Sequence, residues 1–90
     1  MGYMRTIRRY TMKGLAVGRI VHYRVAVPQD NGDDGIRPAI ITKVWNQEGM
    51  VNLVVFYDGS FDRIVAAGCK TSIGYAPEDK VGYWHWPIVV

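Results

Sequence analysis

Alternating apolar and polar positions along most of the chain predict short β-strands. In residues 19–27 every second side chain is apolar, and the set is Val21, Tyr23, Val25 and Val27. His22 and Arg24 fall between them. Because side chains of a strand alternate between two faces, this pattern predicts a half-buried strand with His22 and Arg24 opposite the core. Pro28 ends the strand, since proline has no N–H to donate to a ladder.

Further extended segments follow at short intervals. They are residues 38–45, 50–57, 61–67 (ending at Gly68), the short 71–75 and 83–88. The polar loop 29–35 and the turns 46–49 and 58–60 separate them, and Asp58-Gly59 is a strong hairpin signal. The segment 50–57 is apolar on both faces, which is typical of a central strand or of a surface packed against a partner.

The sequence as a whole predicts an all-β fold. No segment of eleven residues has a helical period, so we expect little or no helix. Five to six short antiparallel strands at this spacing favour a small SH3-like β-barrel, and the lack of a helix makes an OB-like barrel less favoured. Ninety residues suffice for one core. We expect a flexible basic extension over residues 1–13 and a single barrel domain over residues 14–90.

The net charge of +3 is unevenly distributed. Residues 1–13 contain four basic residues and no acid, namely Arg5, Arg8, Arg9 and Lys13. The rest of the chain has seven basic and eight acidic residues. Any contact with nucleic acid would therefore be made through residues 1–13. The alternative is that these residues are a solvated leader. No apolar run reaches the ~20 residues of a membrane span, and no signal cleavage site follows the basic start. We therefore expect a cytosolic protein that does not contact a membrane.

The sequence contains no motif for catalysis, metal binding or phosphate binding. A single cysteine, Cys69, rules out an intrachain disulfide and is expected to fill the core. Asp33 and Asp34 are expected in a solvated turn. His22 and His85, on the first and last strands, could meet across a barrel seam, but no metal-ligand spacing accompanies them. We expect a non-catalytic protein without cofactor or metal.

Aromatic and polar side chains remain as candidates for binding. Trp84 and Trp86 share one face of the last strand, where they either cap the core or form a platform on which a base stacks. Arg37 could pair with a phosphate. Asn52, between apolar neighbours, needs a partner and is either a structural bridge or a base-reading group. The candidate ligand-binding residues are His22, Arg24, Arg37, Trp45, Asn52, Tyr75, Trp84, His85 and Trp86.

Several of these motifs resemble one family. The motifs are Gly18-Arg19-Ile20-Val21-His22-Tyr23, Arg37-Pro38-Ala39-Ile40-Ile41, Val44-Trp45, Val51-Asn52-Leu53, Phe56, Asp58-Gly59 and Trp84-His85-Trp86-Pro87. Over about residues 18–87 the chain resembles a family of small proteins from tailed phages and prophages, most specifically in its closing Trp-His-Trp-Pro. The resemblance implies a phage origin and the cytoplasm of an infected bacterium, and it transfers no active site.

Two classes of function fit these expectations. The first is a counter-defence sponge that sequesters a small anionic nucleotide signal at an interface between subunits of a homo-oligomer, where stacking aromatics and a few Arg and His side chains form the pocket. The second is an SH3-like adaptor that binds nucleic acid or a host protein, for example as an inhibitor of a host defence enzyme. A minor virion component remains a third alternative.

Overall fold

The computed structural model describes residues 12–26, 32–57 and 67–87. These residues form five strands and no helix, so none of them belongs to a helix that could cross a membrane. The strands are β1 (Ile20–Arg24), β2 (Ile36–Val44), β3 (Val51–Phe56), β4 (Ala67–Ile73) and β5 (Trp84–His85). They make one antiparallel sheet in the order β4-β3-β2-β1-β5. The prediction of an all-β fold with five antiparallel strands is confirmed.

One face of the sheet carries the core, because apolar residues alternate along the three central strands. Its buried members are Val21, Tyr23, Ala39, Ile41, Val51, Leu53, Val55 and Trp84. The side chains between them point to the opposite face, which we call the outer face. His22 and Arg24 lie there, as the sequence predicts, and they are half-buried. The inner face of the sheet is therefore filled by the core, and the outer face is a separate surface.

The sheet curves strongly around this core. The Lys70 Nζ of β4 lies 6.0 Å from the centre of the Tyr23 ring of β1. In a flat sheet these strands would be roughly 14 Å apart, three spacings of about 4.8 Å. After β4, Tyr75 forms an isolated parallel bridge with Trp84, which brings the chain back towards β5. No ladder between β4 and β5 joins the described residues, so a closed SH3-like barrel is not confirmed.

The fourth strand differs most from the prediction. Residues 61–66 and the turn 58–60 lie outside the described residues, and β4 begins at Ala67. Gly68 was expected to end a strand, but it pairs with Val55 inside β4. The Tyr57 ring explains the glycine, because a Cβ at residue 68 would lie only 3.1 Å from the Tyr57 Cε2. A glycine inside a strand often marks such a close approach.

The described end of the predicted extension over residues 1–13 contacts the core. Met12 and Leu15 pack against the core cluster. The Met12 N–H also donates to the Gln47 carbonyl at 3.1 Å. Residues 1–11, with Arg5, Arg8 and Arg9, lie outside the described residues, as do residues 27–31, which include the first three residues of the predicted polar loop 29–35.

Candidate ligand-binding surface

Trp84 belongs to the core. It is fully buried, and its indole Nε1 donates to the Gly49 carbonyl at 2.7 Å. The rings of Tyr75 and Trp86 lie 4.9 and 5.0 Å from it, centre to centre, and both are half-buried. Arg19 lies near the Trp86 ring, 5.8 Å from its centre. Of the two interpretations of the Trp84–Trp86 pair, the burial of Trp84 fits the one that caps the core, because a ligand cannot reach its ring.

The Arg37 guanidinium pairs with the Asp33 carboxylate and is not available to bind a phosphate. Its position at the start of β2 places it on the inner face, and its side chain is only 5% exposed. Its Nη1 and Nη2 donate to the Asp33 Oδ1 and Oδ2 at 3.0 and 2.7 Å, the forked geometry that suits guanidinium and carboxylate. The Arg37 hydrogen bonds, followed by the Gly35 N–H, lower the pKa of Asp33 to about 2. The expectation of a merely solvated Asp33 is therefore wrong.

His22 and His85 meet at the seam between β1 and β5. They are a cross-strand pair, with their rings edge to face and 5.7 Å apart. Burial, and then the neighbouring His85, lower the pKa of His22, while Asp34 opposes the shift. The Nδ1 of the buried His85 has no hydrogen-bond partner. Within the described residues no group of three or more potential ligands could hold a metal.

Arg24 continues the same end of the outer face. Its Nη1 pairs with the Asp79 Oδ2 at 3.0 Å in a partly exposed ion pair. The buried Arg24 Nε has no hydrogen-bond partner. Arg24 lies opposite Ile36 of β2, and the next outward pair is His22 with Pro38. Two of the candidate binding residues, Arg24 and His22, therefore lie close together at the end of the outer face where β2 begins.

The opposite end of the outer face presents Trp45. Trp45 is 52% exposed, yet the orientation of its ring is fixed because Nε1 donates to the Asn52 Oδ1 at 2.7 Å. The Lys43 Nζ lies 3.8 Å from the ring centre, a close cation–π contact. No carboxylate among the described residues pairs with Lys43. A half-exposed aromatic ring, the cation that lies over it and an amide thus occupy one small surface, which we call the Trp45 cluster.

Asn52 holds this cluster together, which supports its interpretation as a structural bridge. The pairing register shifts on both strands next to Asn52. On β2 the shift lies between Ile41 and Lys43, and on β4 it lies within residues 70–73. Its Oδ1 also accepts the N–H of Ser72 at 2.9 Å. Ser72 has a φ of 56°, an uncommon conformation for a residue other than glycine. The bulges in β2 and β4, the strands on either side of Asn52, therefore bring the side chains of Trp45, Lys43 and Asn52 together on the outer face.

Between the two ends, the outer face is apolar. Paired positions on four strands form a row of Ile20, Ile40, Val54 and Cys69. Pro38 and Phe56 extend the row, and we call these six residues the outer patch. Ile20 is 61% exposed and Phe56 is 42% exposed. Cys69 is exposed as well, so its expected role as core filler is wrong.

The nine candidate residues therefore do not form one pocket. The structure brings Trp45 and Asn52 together at one end of the outer face, and His22, Arg24 and His85 at the other. The two ends are five residue steps apart along β2, from Pro38 to Lys43. At the rise per residue of a β-strand, that distance is roughly 16 Å. Sequence reasoning missed Lys43, although its position two residues before Trp45 places both on one strand face.

Comparison with known proteins adds no relative. No family model, curated protein or solved structure matches the chain.

Proposed function

We propose that the chain is a non-catalytic binding protein whose ligand stacks on Trp45. The observation that carries this proposal is the Trp45 cluster, in which a half-exposed indole is already fixed by Asn52. A ring on the surface normally loses conformational entropy when a ligand binds to it. A ring that is already held in one orientation loses less, so binding costs less free energy. Each base stacked on an aromatic side chain contributes about 1–3 kcal/mol.

The polar members of the cluster favour a small anionic nucleotide as the ligand. The Lys43 ammonium lies over one face of the Trp45 ring, so a base would stack on the other face while the ammonium attracts a phosphate as a point charge. The Asn52 Oδ1 accepts two hydrogen bonds, which leaves the amide NH₂ as a donor towards a base edge. One lysine beside one ring suits a ligand with few phosphates better than it suits duplex DNA, whose binding needs many phosphate contacts.

The biological setting is part of the same proposal. Resemblance to small proteins of tailed phages and prophages supports a role in the cytoplasm of an infected bacterium. There, a protein that binds a nucleotide without converting it would act as a sponge for a host immune signal. The strand order β4-β3-β2-β1-β5 and the strong curvature of the sheet support an SH3-like barrel as the scaffold.

The experiment is thermal unfolding with a panel of nucleotides that includes cyclic dinucleotides and ADP-ribose derivatives. A ligand at 100 times its Kd adds about 2.7 kcal/mol to the free energy of unfolding. For a domain of this size that raises Tm by roughly 10 °C or more. We expect one class of compound to stabilise the protein selectively.

Two lysine variants then test the location of the site. Lys43 and Lys80 each lie over an aromatic ring, Lys80 4.5 Å from the centre of the Tyr83 ring. Lys43→Ala should weaken binding, whereas Lys80→Ala should leave the Kd unchanged. Trp45→Ala should raise the Kd about 5- to 150-fold, the equivalent of 1–3 kcal/mol. Equal effects of the two lysine variants, or an unchanged Kd in Trp45→Ala, would refute the proposed site.

A second candidate function follows from the outer patch. Exposed apolar side chains bordered by Trp45 and polar groups have the composition of a protein interface. An adaptor that binds a host protein would use this surface. Such a protein would show no stabilisation by any nucleotide in the panel, and Phe56→Ala would reduce its capture of the partner.

A further inference from the structure

The basic segment, residues 1–13, joins the fold directly beside the Trp45 cluster. Met12 is its first described residue, and the Met12 N–H donates to the Gln47 carbonyl at 3.1 Å, two positions after Trp45. Met12 also packs against the core, and its Cε would lie 3.1 Å from a Cβ placed at Gly49 in the same turn. The structure therefore fixes the point at which the segment meets the fold.

Hydrogen bonds hold that turn in one conformation next to the indole. The Asn46 Oδ1 accepts the N–H of Glu48 at 3.0 Å and the N–H of Met50 at 3.1 Å. The Trp45 N–H donates to the Met50 carbonyl at 2.8 Å. Because the same turn carries Trp45 at its start and holds Met12 at its middle, the distance between the ring and the end of the segment is constant.

The cations of the segment are all within reach of a ligand on Trp45. Lys13 is exposed and lies in a turn that is closed by the Leu15 N–H, which donates to the Met12 carbonyl at 3.2 Å. Three further cations precede Met12 by seven, four and three residues, namely Arg5, Arg8 and Arg9. A chain spans at most about 3.6 Å per residue, so their Cα atoms lie within roughly 25, 14 and 11 Å of the Met12 Cα.

Charge is distributed unequally between the two ends of the outer face. Residues 1–13 and 43–50 contain a single acid, Glu48, and five basic residues, which are Arg5, Arg8, Arg9, Lys13 and Lys43. The loop 29–35, at the end where β2 begins, contains three acids and no basic residue, and its Asp34 is exposed. A chain of phosphates is therefore attracted to the Trp45 end and repelled by the acidic loop.

We propose that the ligand of the Trp45 site is a short single-stranded oligonucleotide, one base of which stacks on Trp45 while the basic segment binds further phosphates. This inference rests on the proposed function and names its ligand class. Lys43 alone serves one phosphate, whereas the segment anchored beside the ring adds four cations. A cationic track beside a stacking aromatic ring is how proteins bind single strands. A duplex does not fit, because its bases are stacked on each other and not free to stack on a ring.

Isothermal titration calorimetry with AMP and with hexa-adenylate, a strand of six nucleotides, tests the ligand class. Both ligands offer the same base, so the ratio of their affinities reports the additional phosphates. We expect hexa-adenylate to bind at least tenfold more tightly than AMP at 50 mM NaCl. Raising NaCl to 200 mM should weaken hexa-adenylate about 20- to 130-fold, the effect of three to five phosphate contacts, and AMP only about threefold.

Substitutions in the full chain then test the segment. The triple variant Arg5→Gln, Arg8→Gln, Arg9→Gln should bind hexa-adenylate at least tenfold more weakly at 50 mM NaCl, while its Kd for AMP stays within about twofold. Its remaining two lysine contacts should leave a salt effect of about sevenfold. The three arginines precede Met12, the first described residue packed on the core, so the urea midpoint should not change.

A single-charge comparison controls for net charge. Lys80 is exposed and lies over the Tyr83 ring, whose carbonyl accepts the Arg24 N–H at the opposite end of the outer face. Lys80→Gln should leave the Kd for hexa-adenylate unchanged, whereas Arg9→Gln, which removes the same charge, should raise it at least twofold. Equal effects of these two variants would show a response to net charge alone and would refute a contact by the segment.

The remaining outcomes separate this inference from the proposed function. If the triple variant binds hexa-adenylate normally, or if hexa-adenylate binds no more tightly than another nucleotide that needs Trp45, the inference is refuted and the proposed function stands. If Trp45→Ala leaves the Kd for hexa-adenylate unchanged although the triple variant raises it, the segment binds phosphates without the ring, which refutes both. Failure of every nucleotide to bind also refutes both.

Discussion

Replacing Trp84 by phenylalanine tests the distinction between a core tryptophan and a ligand-binding one. Trp84 is fully buried, and its indole N–H satisfies the Gly49 carbonyl. Phenylalanine keeps an aromatic ring in the core but cannot donate that hydrogen bond. The substitution therefore leaves a buried acceptor unsatisfied and removes part of the ring that packs against Tyr75 and Trp86.

The magnitude follows from these two losses. An unsatisfied buried acceptor costs about 1–3 kcal/mol. The missing part of the indole corresponds to two or three buried methylene groups at about 0.8 kcal/mol each. We expect Trp84→Phe to lower the free energy of unfolding by about 3–5 kcal/mol, the sum of these two losses. The whole chain is expected to have only about 5–13 kcal/mol, from 90 residues at 0.05–0.15 kcal/mol each.

Urea unfolding followed by far-UV circular dichroism measures the effect without depending on tryptophan fluorescence. The midpoint should fall while the slope m stays unchanged, because the same surface is exposed on unfolding. Trp45→Phe is the matched control: it also loses an indole hydrogen bond, but at an exposed position, and should cost less than about 1 kcal/mol. Equal costs for the two variants would refute the assignment of Trp84 to the core and of Trp45 to the surface.

Two other properties of the chain have expected outcomes. Gly49→Ala should destabilise by roughly 1–3 kcal/mol more than Gly18→Ala in the same urea assay. Both glycines have positive φ, so that cost is common to the two variants, but only at Gly49 does a new Cβ meet the Tyr75 Cβ, at 2.6 Å. Equal costs would contradict this packing. Because the folded state holds the pKa of His22 below 6.5, the unfolded chain binds the proton more readily, so stability should fall as pH drops through about 6.5. His22→Asn should flatten that decline between pH 8 and 5, and a decline identical in the variant would exclude His22 as its source.

The sequence pattern predicted the strands whose side chains alternate strictly. In β1 to β3 the inner positions are apolar with the exception of Arg37, so the period of two is visible without knowledge of the fold. In β4 the pattern fails, because Gly68 and Lys70 occupy inner positions. Gly68 makes room for the Tyr57 ring, and Lys70 reaches Tyr23 across the curved sheet. Both depend on contacts distant in sequence.

The candidate site was predicted as residue types and not as an arrangement. Trp45 and Asn52 were recognised individually, but their hydrogen bond depends on bulges in β2 and β4, which leave no mark in a single sequence. A lone arginine at the start of a strand is predicted to be accessible, whereas the Arg37 side chain is buried. Its burial depends on Asp33, four residues earlier, which folds back to pair with it. Local pattern therefore indicates which face a side chain occupies, and not which partner it finds.

The most direct test of the ligand site uses the three tryptophans as separate reporters. Each indole N–H gives its own signal in a ¹⁵N–¹H correlation spectrum, and single substitutions to phenylalanine assign them. On titration with the nucleotide that raises Tm, we predict a large shift of the Trp45 signal and little change in that of the buried Trp84. A titration that shifts Trp84 or Trp86 and leaves Trp45 unmoved would contradict the account.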